Sequence, residues 1–132
     1  MTKNEITETV LKLSFKIHSS LGSGLLETVY KECLFYELTR EGLYVEKEKG
    51  LPVVYETLKL PIGYRMDLFV ENSIVVEIKS VDGFTDSHIA QILTYLKFSE
   101  SEIGLLLNFK MASLKNGIKR VRRFKNPLIE SA

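Results

Sequence analysis

Side-chain alternation along residues 64–80 constrains this chain more than any other feature. The segment reads Tyr64-Arg-Met-Asp-Leu-Phe-Val-Glu-Asn-Ser-Ile-Val-Val-Glu-Ile-Lys-Ser80. Met66, Leu68 and Val70 are apolar at every second position, and so are Ile74, Val76 and Ile78. Successive side chains of a strand point to opposite faces, so these six are expected to share one buried face. Arg65, Asp67, Phe69, Val75, Glu77 and Lys79 then fall on the other.

Register follows from the same pattern. Pairing Val70 with Ile74 across the three-residue loop Glu71-Asn72-Ser73 sets Asp67 opposite Glu77 and Arg65 opposite Lys79. A two-residue loop would put the two acids on opposite faces and scramble the apolar set. A three-residue hairpin loop needs one left-handed residue, and Asn72 or Ser73 is expected to supply it. Two carboxylates thus become cross-strand neighbours. Like charges placed opposite each other destabilise a sheet, so something should compensate them. A hard divalent cation would do so, since Mg²⁺ takes oxygen ligands and usually only one or two carboxylates. The plainer alternative is a solvated strand face on which Arg65 and Lys79 neutralise the acids.

Around this hairpin, helical spacing of Ile6, Val10, Leu13 and Ile17 predicts a first helix over 5–19. Leu21-Gly-Ser-Gly24 is a break. A second helix is expected over 25–40, with Leu26, Tyr30, Cys33, Leu34 and Leu38 as its stripe and Gly42 at its end. The period then changes to two. Residues 44–49 and 51–55 read as one strand or two pieces, and Pro52 argues for a sheet edge. Strands follow over 60–70 and 74–80, then a helix over 87–98 capped by Thr85 or Asp86. Its buried stripe is expected to be Ile89, Ile92, Leu93 and Leu96, with His88, Gln91 and Tyr95 beside it. The apolar run 103–109 reads as a strand covered on both faces, and 117–124 as a last, basic strand. The order predicts an α/β fold: a mixed central β-sheet flanked by helices. With 132 residues, one domain over 1–132 is expected.

Composition narrows the function classes. Hydrophobic residues make up 45% and charged residues 27%, a globular balance. Cys33 is the single cysteine, so neither an intrachain disulfide nor a Cys/His metal cluster is available. That chemistry, an N-terminus without an apolar signal region and no apolar run of membrane-spanning length together predict a cytoplasmic protein with no membrane partner. Net charge is +1, but it is uneven: residues 110–132 hold seven basic side chains and one acid, against 11 basic and 16 acidic in 1–109. A local basic strip could hold a phosphate backbone even in a near-neutral protein.

An acid on one strand followed by acid-x-Lys on the next, here Asp67 and Glu77-Ile78-Lys79, resembles the signature of the PD-(D/E)XK nuclease superfamily. Met66 stands where a proline is usual. The stretch Gly24-Leu-Leu-Glu-Thr-Val-Tyr30 is more specific and resembles the GxxExxY family of that superfamily. Ala90-Gln-Ile-Leu-Thr-Tyr-Leu96 and Gly104-Leu-Leu-Leu-Asn-Phe109 extend the resemblance over most of the chain. It implies an α-β-β-β-α-β, restriction-endonuclease-like core. It also implies a divalent ion, Mg²⁺ or Mn²⁺, arranged by Glu27, Asp67, Glu77 and the carbonyl of Ile78, with Gln91 beside the site.

Each remaining candidate has two readings. Glu27 shares a helix face with Tyr30 and Leu34 and is expected to point toward the packed side as part of the site, although an acid in a first turn is also favoured by the helix N-terminus. Gln91 either orients a water or phosphate or is a plain helix-flank amide. Lys115, Lys119, Arg120, Arg122, Arg123 and Lys125 either contact phosphate or discourage edge-to-edge aggregation. His18 and Cys33 are expected to be packing residues.

The leading expectation is metal-dependent hydrolysis of DNA or RNA phosphodiesters. Asp67, Glu77, Lys79 and Gln91 would be catalytic, and Arg65, Lys119, Arg120, Arg122 and Arg123 would bind nucleic acid. The alternative is a nucleic-acid- or protein-binding module that keeps the fold without turnover. No separate DNA-reading domain is evident, so specificity is expected to need a homodimer or a partner protein.

Overall fold

The computed structural model describes residues 1–123, and of Ile62 the backbone alone. Phe124, at the end of the last predicted strand, and Lys125 of the basic strip lie outside the described residues.

Helix α1 spans Lys3–Leu21. It begins two residues earlier than periodicity suggests because Thr2 and Glu5 form a capping box: the Glu5 N–H donates to Thr2 Oγ1 at 3.1 Å and the Thr2 N–H to Glu5 Oε1 at 2.8 Å. Gly22, at φ 78°, ends it in a conformation a side chain disfavours. Helix α2 spans Glu27–Arg40, beginning two residues later than expected. Leu26 in the N-cap position has no side-chain acceptor to offer. The turn after it uses Gly42 at φ 90°, as anticipated.

Strands β1 (Val45–Tyr55) and β2 (Leu58–Val70) form a long antiparallel ribbon. β1 is a single strand at the sheet edge, with an irregularity between Leu51 and Val53 that accommodates Pro52. β3 spans Ile74–Lys79, α3 Asp86–Ser99 and β4 Ile103–Asn108. A short 3₁₀ turn, Leu114–Gly117, leads into β5, Ile118–Arg122. The five strands lie in the order β1-β2-β3-β4-β5, parallel between β3 and β4 and antiparallel elsewhere. This is the expected mixed sheet of an α/β, restriction-endonuclease-like core.

Helices cover both faces. Under α1 and α2, Ile6, Val10, Leu13, Tyr30, Leu34 and Leu38 pack on Leu68, Val70, Ile74, Val76 and Ile78. Under α3, Ile92, Tyr95 and Leu96 pack on Phe69, Val75 and Leu106. Six buried residues of β4 confirm a strand covered on both sides. Gly104 lies under α3, where a Cβ would come within 2.7 Å of Ile92 Cδ1 and oblige that side chain to shift. Thr85, one of the two expected caps, closes a capping box with His88.

Three packing expectations are corrected. In α3, Tyr95 is 3% exposed and Leu93 41%, so the tyrosine takes the core position assigned to the leucine. The helix is rotated so that Tyr95 faces the ribbon, its ring edge on Tyr64 with centroids 5.7 Å apart. Met66 packs in the cluster under α3 and not with Leu68 and Val70. Alternation breaks between Met66 and Leu68, where Glu48 on the neighbouring strand has φ 52° and the β2–β3 ladder ends at Leu68 and Val76. In the hairpin loop, Glu71 and Asn72 both take positive φ, 53° and 50°, in place of one left-handed residue at Asn72 or Ser73. The Ser73 N–H donates to the Val70 carbonyl at 3.0 Å, so these are the two central residues of a tight turn whose twist matches the flanking strands.

Candidate active site at the end of the hairpin

Val70 pairs with Ile74 and Leu68 with Val76, in the register that the apolar pattern demands. At the next position the ladder stops and side chains take over. The Asp67 N–H donates to Glu77 Oε2 at 2.7 Å, and the Ile78 N–H donates to Asp67 Oδ2 at 2.9 Å. Each acid therefore replaces a lost ladder bond of the other strand, and the two carboxylates are locked side by side. Each keeps one oxygen without a protein donor among the described residues. The expected pairing of Arg65 with Lys79 does not form, because beyond Leu68 the backbone ladder of β2 continues with β1 alone. Arg65 is exposed. Alternation with Tyr64 and Met66 places it on the face away from α3.

Glu77 is 2% exposed. Burial, and then the charge of Asp67, push its carboxyl up to about 8, with the Asp67 N–H and Lys79 pulling the other way. Burial also raises Asp67, against the Ile78 N–H and the charges of Lys31 and Lys79. The tyrosine of α3 reports the same field: burial and the negative charges of Glu77 and Asp67 raise the Tyr95 hydroxyl above its ordinary range.

The two remaining expected catalytic groups join this pair. Lys79 Nζ donates to Gln91 Oε1 at 3.2 Å, so α3 holds the ammonium through its amide. Glu27 lies in the first turn of α2 but is exposed, contrary to expectation. Standing first in the helix, it leans back over the preceding loop and not onto the core. Its Oε2 accepts the Ser80 N–H at 2.9 Å, and Ser80 Oγ donates to the Leu25 carbonyl at 3.3 Å. Its charge still reaches both Asp67 and Glu77.

Several supporting residues were not assigned a role from sequence. Asn108 Oδ1 accepts the Val81 N–H at 3.1 Å, and its Nδ2 donates to the Val81 carbonyl at 2.8 Å, clamping the chain that leaves Lys79. Tyr30 Oη donates to the Gly22 carbonyl at 2.6 Å and accepts the Leu25 N–H at 3.0 Å, while its ring stacks on Phe109 at 4.4 Å. The Gly24-to-Tyr30 stretch is thus a brace that ties the α1–α2 loop to the end of the sheet. Lys31, 9% exposed, forms an ion pair with Glu48 at 3.3 Å. Its spacing of four from Glu27 is the one clue that sequence offered.

Among the described residues, the basic strip does not assemble into one surface. Arg120 Nη2 donates to Asn4 Oδ1 of α1 at 3.1 Å, and Arg122 shares its face by alternation. Lys119 lies on the opposite face with Val121, which packs under α3. Arg123 donates its N–H to the Glu102 carbonyl at 2.8 Å. A strand presents alternate residues to opposite sides, so a run of basic residues at an edge is divided between them. Lys115 is exposed on the 3₁₀ turn. His18 Nε2 lies 2.9 Å from the Met111 carbonyl, and Cys33 lines an apolar groove of about 340 Å³ between α1 and α2 that shares no residue with the carboxylate pair.

Among the described residues, no group of three or more His, Cys, Asp or Glu stands ready-made to hold a metal. The donor set of Asp67 and Glu77 nevertheless suits a hard cation. Two adjacent carboxylates, each with an oxygen to spare and each with raised proton affinity, offer what Mg²⁺ or Mn²⁺ takes from protein. No helix among the described residues is long and apolar enough to cross a membrane.

The structure thus sets an acid pair at the open end of a hairpin, beside a strand lysine held by a helix amide. Residues 4–121 match the PD-(D/E)XK nuclease superfamily, and the chain belongs to it. Membership points to nuclease activity, to nucleic-acid binding and to the divalent-metal dependence general among these nucleases. Comparison with curated proteins and with solved structures gave no significant match.

Proposed function

We propose that this protein is a metal-dependent nuclease of the GxxExxY type that hydrolyses phosphodiester bonds of DNA or RNA. The observation that carries it is the exchange of backbone hydrogen bonds that sets Asp67 beside Glu77, with Lys79 tethered to Gln91. Asp67 and Glu77, with Glu27 and the Ile78 carbonyl as further donors, would hold Mg²⁺ or Mn²⁺. The ion would supply a water of lowered pKa and a polarised phosphate. Lys79 stabilises charge on the phosphoryl oxygens, and Gln91 orients its ammonium. The Ser80 contacts of Glu27 and the Asn108 clamp keep the backbone beside Lys79 in place. Arg65, Lys119, Arg120, Arg122 and Arg123 remain candidates for phosphate contact on separate surfaces, and specificity would come from a second copy or a partner protein.

Isothermal titration with Mn²⁺ and cleavage assays on single- and double-stranded DNA and RNA test this. The wild type should bind Mn²⁺, and Asp67→Ala and Glu77→Ala should abolish both binding and cleavage. Lys79→Ala should keep Mn²⁺ binding and lower kcat by about a hundredfold or more, the scale of losing one group that stabilises transition-state charge. Unaltered binding in both acid variants would remove the metal site. The 2% exposure of Glu77 favours a second reading, a binding module without turnover; Mn²⁺ binding with no hydrolysis of any polymer would select it.

A further inference from the structure

Glu48 has a backbone conformation that its position does not explain. It lies inside strand β1, yet its φ is 52°. The other non-glycine residues with positive φ among those described sit in turns or at a helix end: Glu56, Glu71, Asn72 and Glu100. An L-residue adopts this conformation only when its surroundings impose it, and such residues concentrate at functional sites. Lys47 pairs with Leu68 and Lys49 with Met66, so Glu48 stands across from Asp67, in a register position where no ladder pair forms. Glu48, Asp67 and Glu77 therefore form a row across three strands.

Lys31 is the counterpart. It lies one turn after Glu27 on α2, and its side chain is 11% exposed. Its ammonium is 3.3 Å from Glu48 Oε1, and no other ion pair with it is formed among the described residues. A lysine is rarely buried without a purpose that outweighs its desolvation. Helix α2 thus reaches the hairpin at two points, through Glu27 at Ser80 and through Lys31 at Glu48.

We propose that Lys31 is a positioning residue: with Glu48 it forms a strut from α2 that holds the left-handed backbone of Glu48 in the β1–β2 ribbon and so sets the Asp67 carboxylate for metal binding. The inference rests on the metal site proposed above. It assigns Lys31 and Glu48 a place outside the ligand set, where partners of ligands typically matter tenfold or more in metal affinity.

The direction of the effect makes the test decisive. Removing a cation beside a cation site should, by electrostatics alone, tighten metal binding. Loss of a positioning strut should weaken it. Mn²⁺ affinity is measured by isothermal titration on the full chain at one pH, with far-UV circular dichroism confirming the fold. Lys31→Met keeps the apolar stem, and its affinity should fall roughly tenfold. Glu48→Gln changes a half-exposed side chain, leaves folding intact and should weaken binding similarly. The double variant should be no weaker than either single, because one strut is lost only once. Lys31→Arg should recover part of the loss. Unchanged or tighter binding in Lys31→Met, or additive losses in the double variant, overturns the strut. If Asp67→Ala abolishes binding while Lys31→Met does not weaken it, the strut alone fails. If the wild type binds no Mn²⁺, the metal site and the strut fail together.

Discussion

Glu77 shows how one side chain can report on its site before any reaction is measured. Its carboxyl is raised from 4.5 to about 8 in the folded chain, by burial first and Asp67 second. Between those values the unfolded chain releases a proton that the folded chain retains. The associated stability is full below pH 4.5, is lost as pH rises to about 8, and is level above that. Chemical denaturation in EDTA across pH 4.5 to 9 should therefore show stability falling with pH, by at most about 1.4 kcal/mol per unit for one proton. Glu77→Gln should flatten much of that slope; parallel profiles for the two proteins would contradict the burial assigned to Glu77. At this scale the sequence was legible where chemistry depends on near neighbours. Asp67, Glu77, Lys79 and Gln91 come together as alternation and the superfamily resemblance implied. Lys31, Glu48 and Asn108 were not legible, because their roles arise from contacts across 17 to 27 positions of chain. Arg65 was misplaced because alternation breaks between Met66 and Leu68.

Elements were legible to the extent that their ends carry local signals. The Thr2/Glu5 box and Gly42 mark helix ends that a reader of caps can find, whereas Leu26 marks none and the start of α2 was placed too early. What an element touches is a separate matter. Both Leu93 and Tyr95 lie near the apolar stripe of α3, and only the ribbon beneath decides that Tyr95 turns inward. The Gly24-to-Tyr30 stretch likewise shows its purpose only when the loop is seen against the sheet. Tyr30→Phe keeps the stack on Phe109 and loses both hydroxyl bonds. The backbone partners of that hydroxyl belong to the exposed residues Gly22 and Leu25, so the cost should be that of two ordinary hydrogen bonds, about 1–3 kcal/mol together in thermal or denaturant unfolding. Indistinguishable unfolding of Tyr30→Phe and the wild type would show that the loop is braced elsewhere.

For the whole molecule, the sheet joins two helical layers that meet at the open end of β2 and β3. Helix α2 supplies Glu27 and Lys31 from one side, and α3 supplies Gln91 and Tyr95 from the other. Metal binding should then stabilise the entire fold. Ligand present at a hundred times its Kd adds about 2.7 kcal/mol. On the proposed site Mn²⁺ and protons would compete for Glu77, so the increase in Tm on adding Mn²⁺ should be larger at pH 8 than at pH 6. Equal shifts at both values would place the ion away from this carboxylate pair. The sequence by itself determined the strands, their hairpin register, the adjacency of two acids and the mixed sheet, because periods of two and 3.6 are written in near neighbours. Tertiary structure alone decided the break in alternation between Met66 and Leu68, the inward Tyr95, the exposed Glu27 on Ser80, the division of the basic strip and the Lys31–Glu48 ion pair. Each depends on which surface is pressed against which, and that is settled by packing between segments distant in the chain.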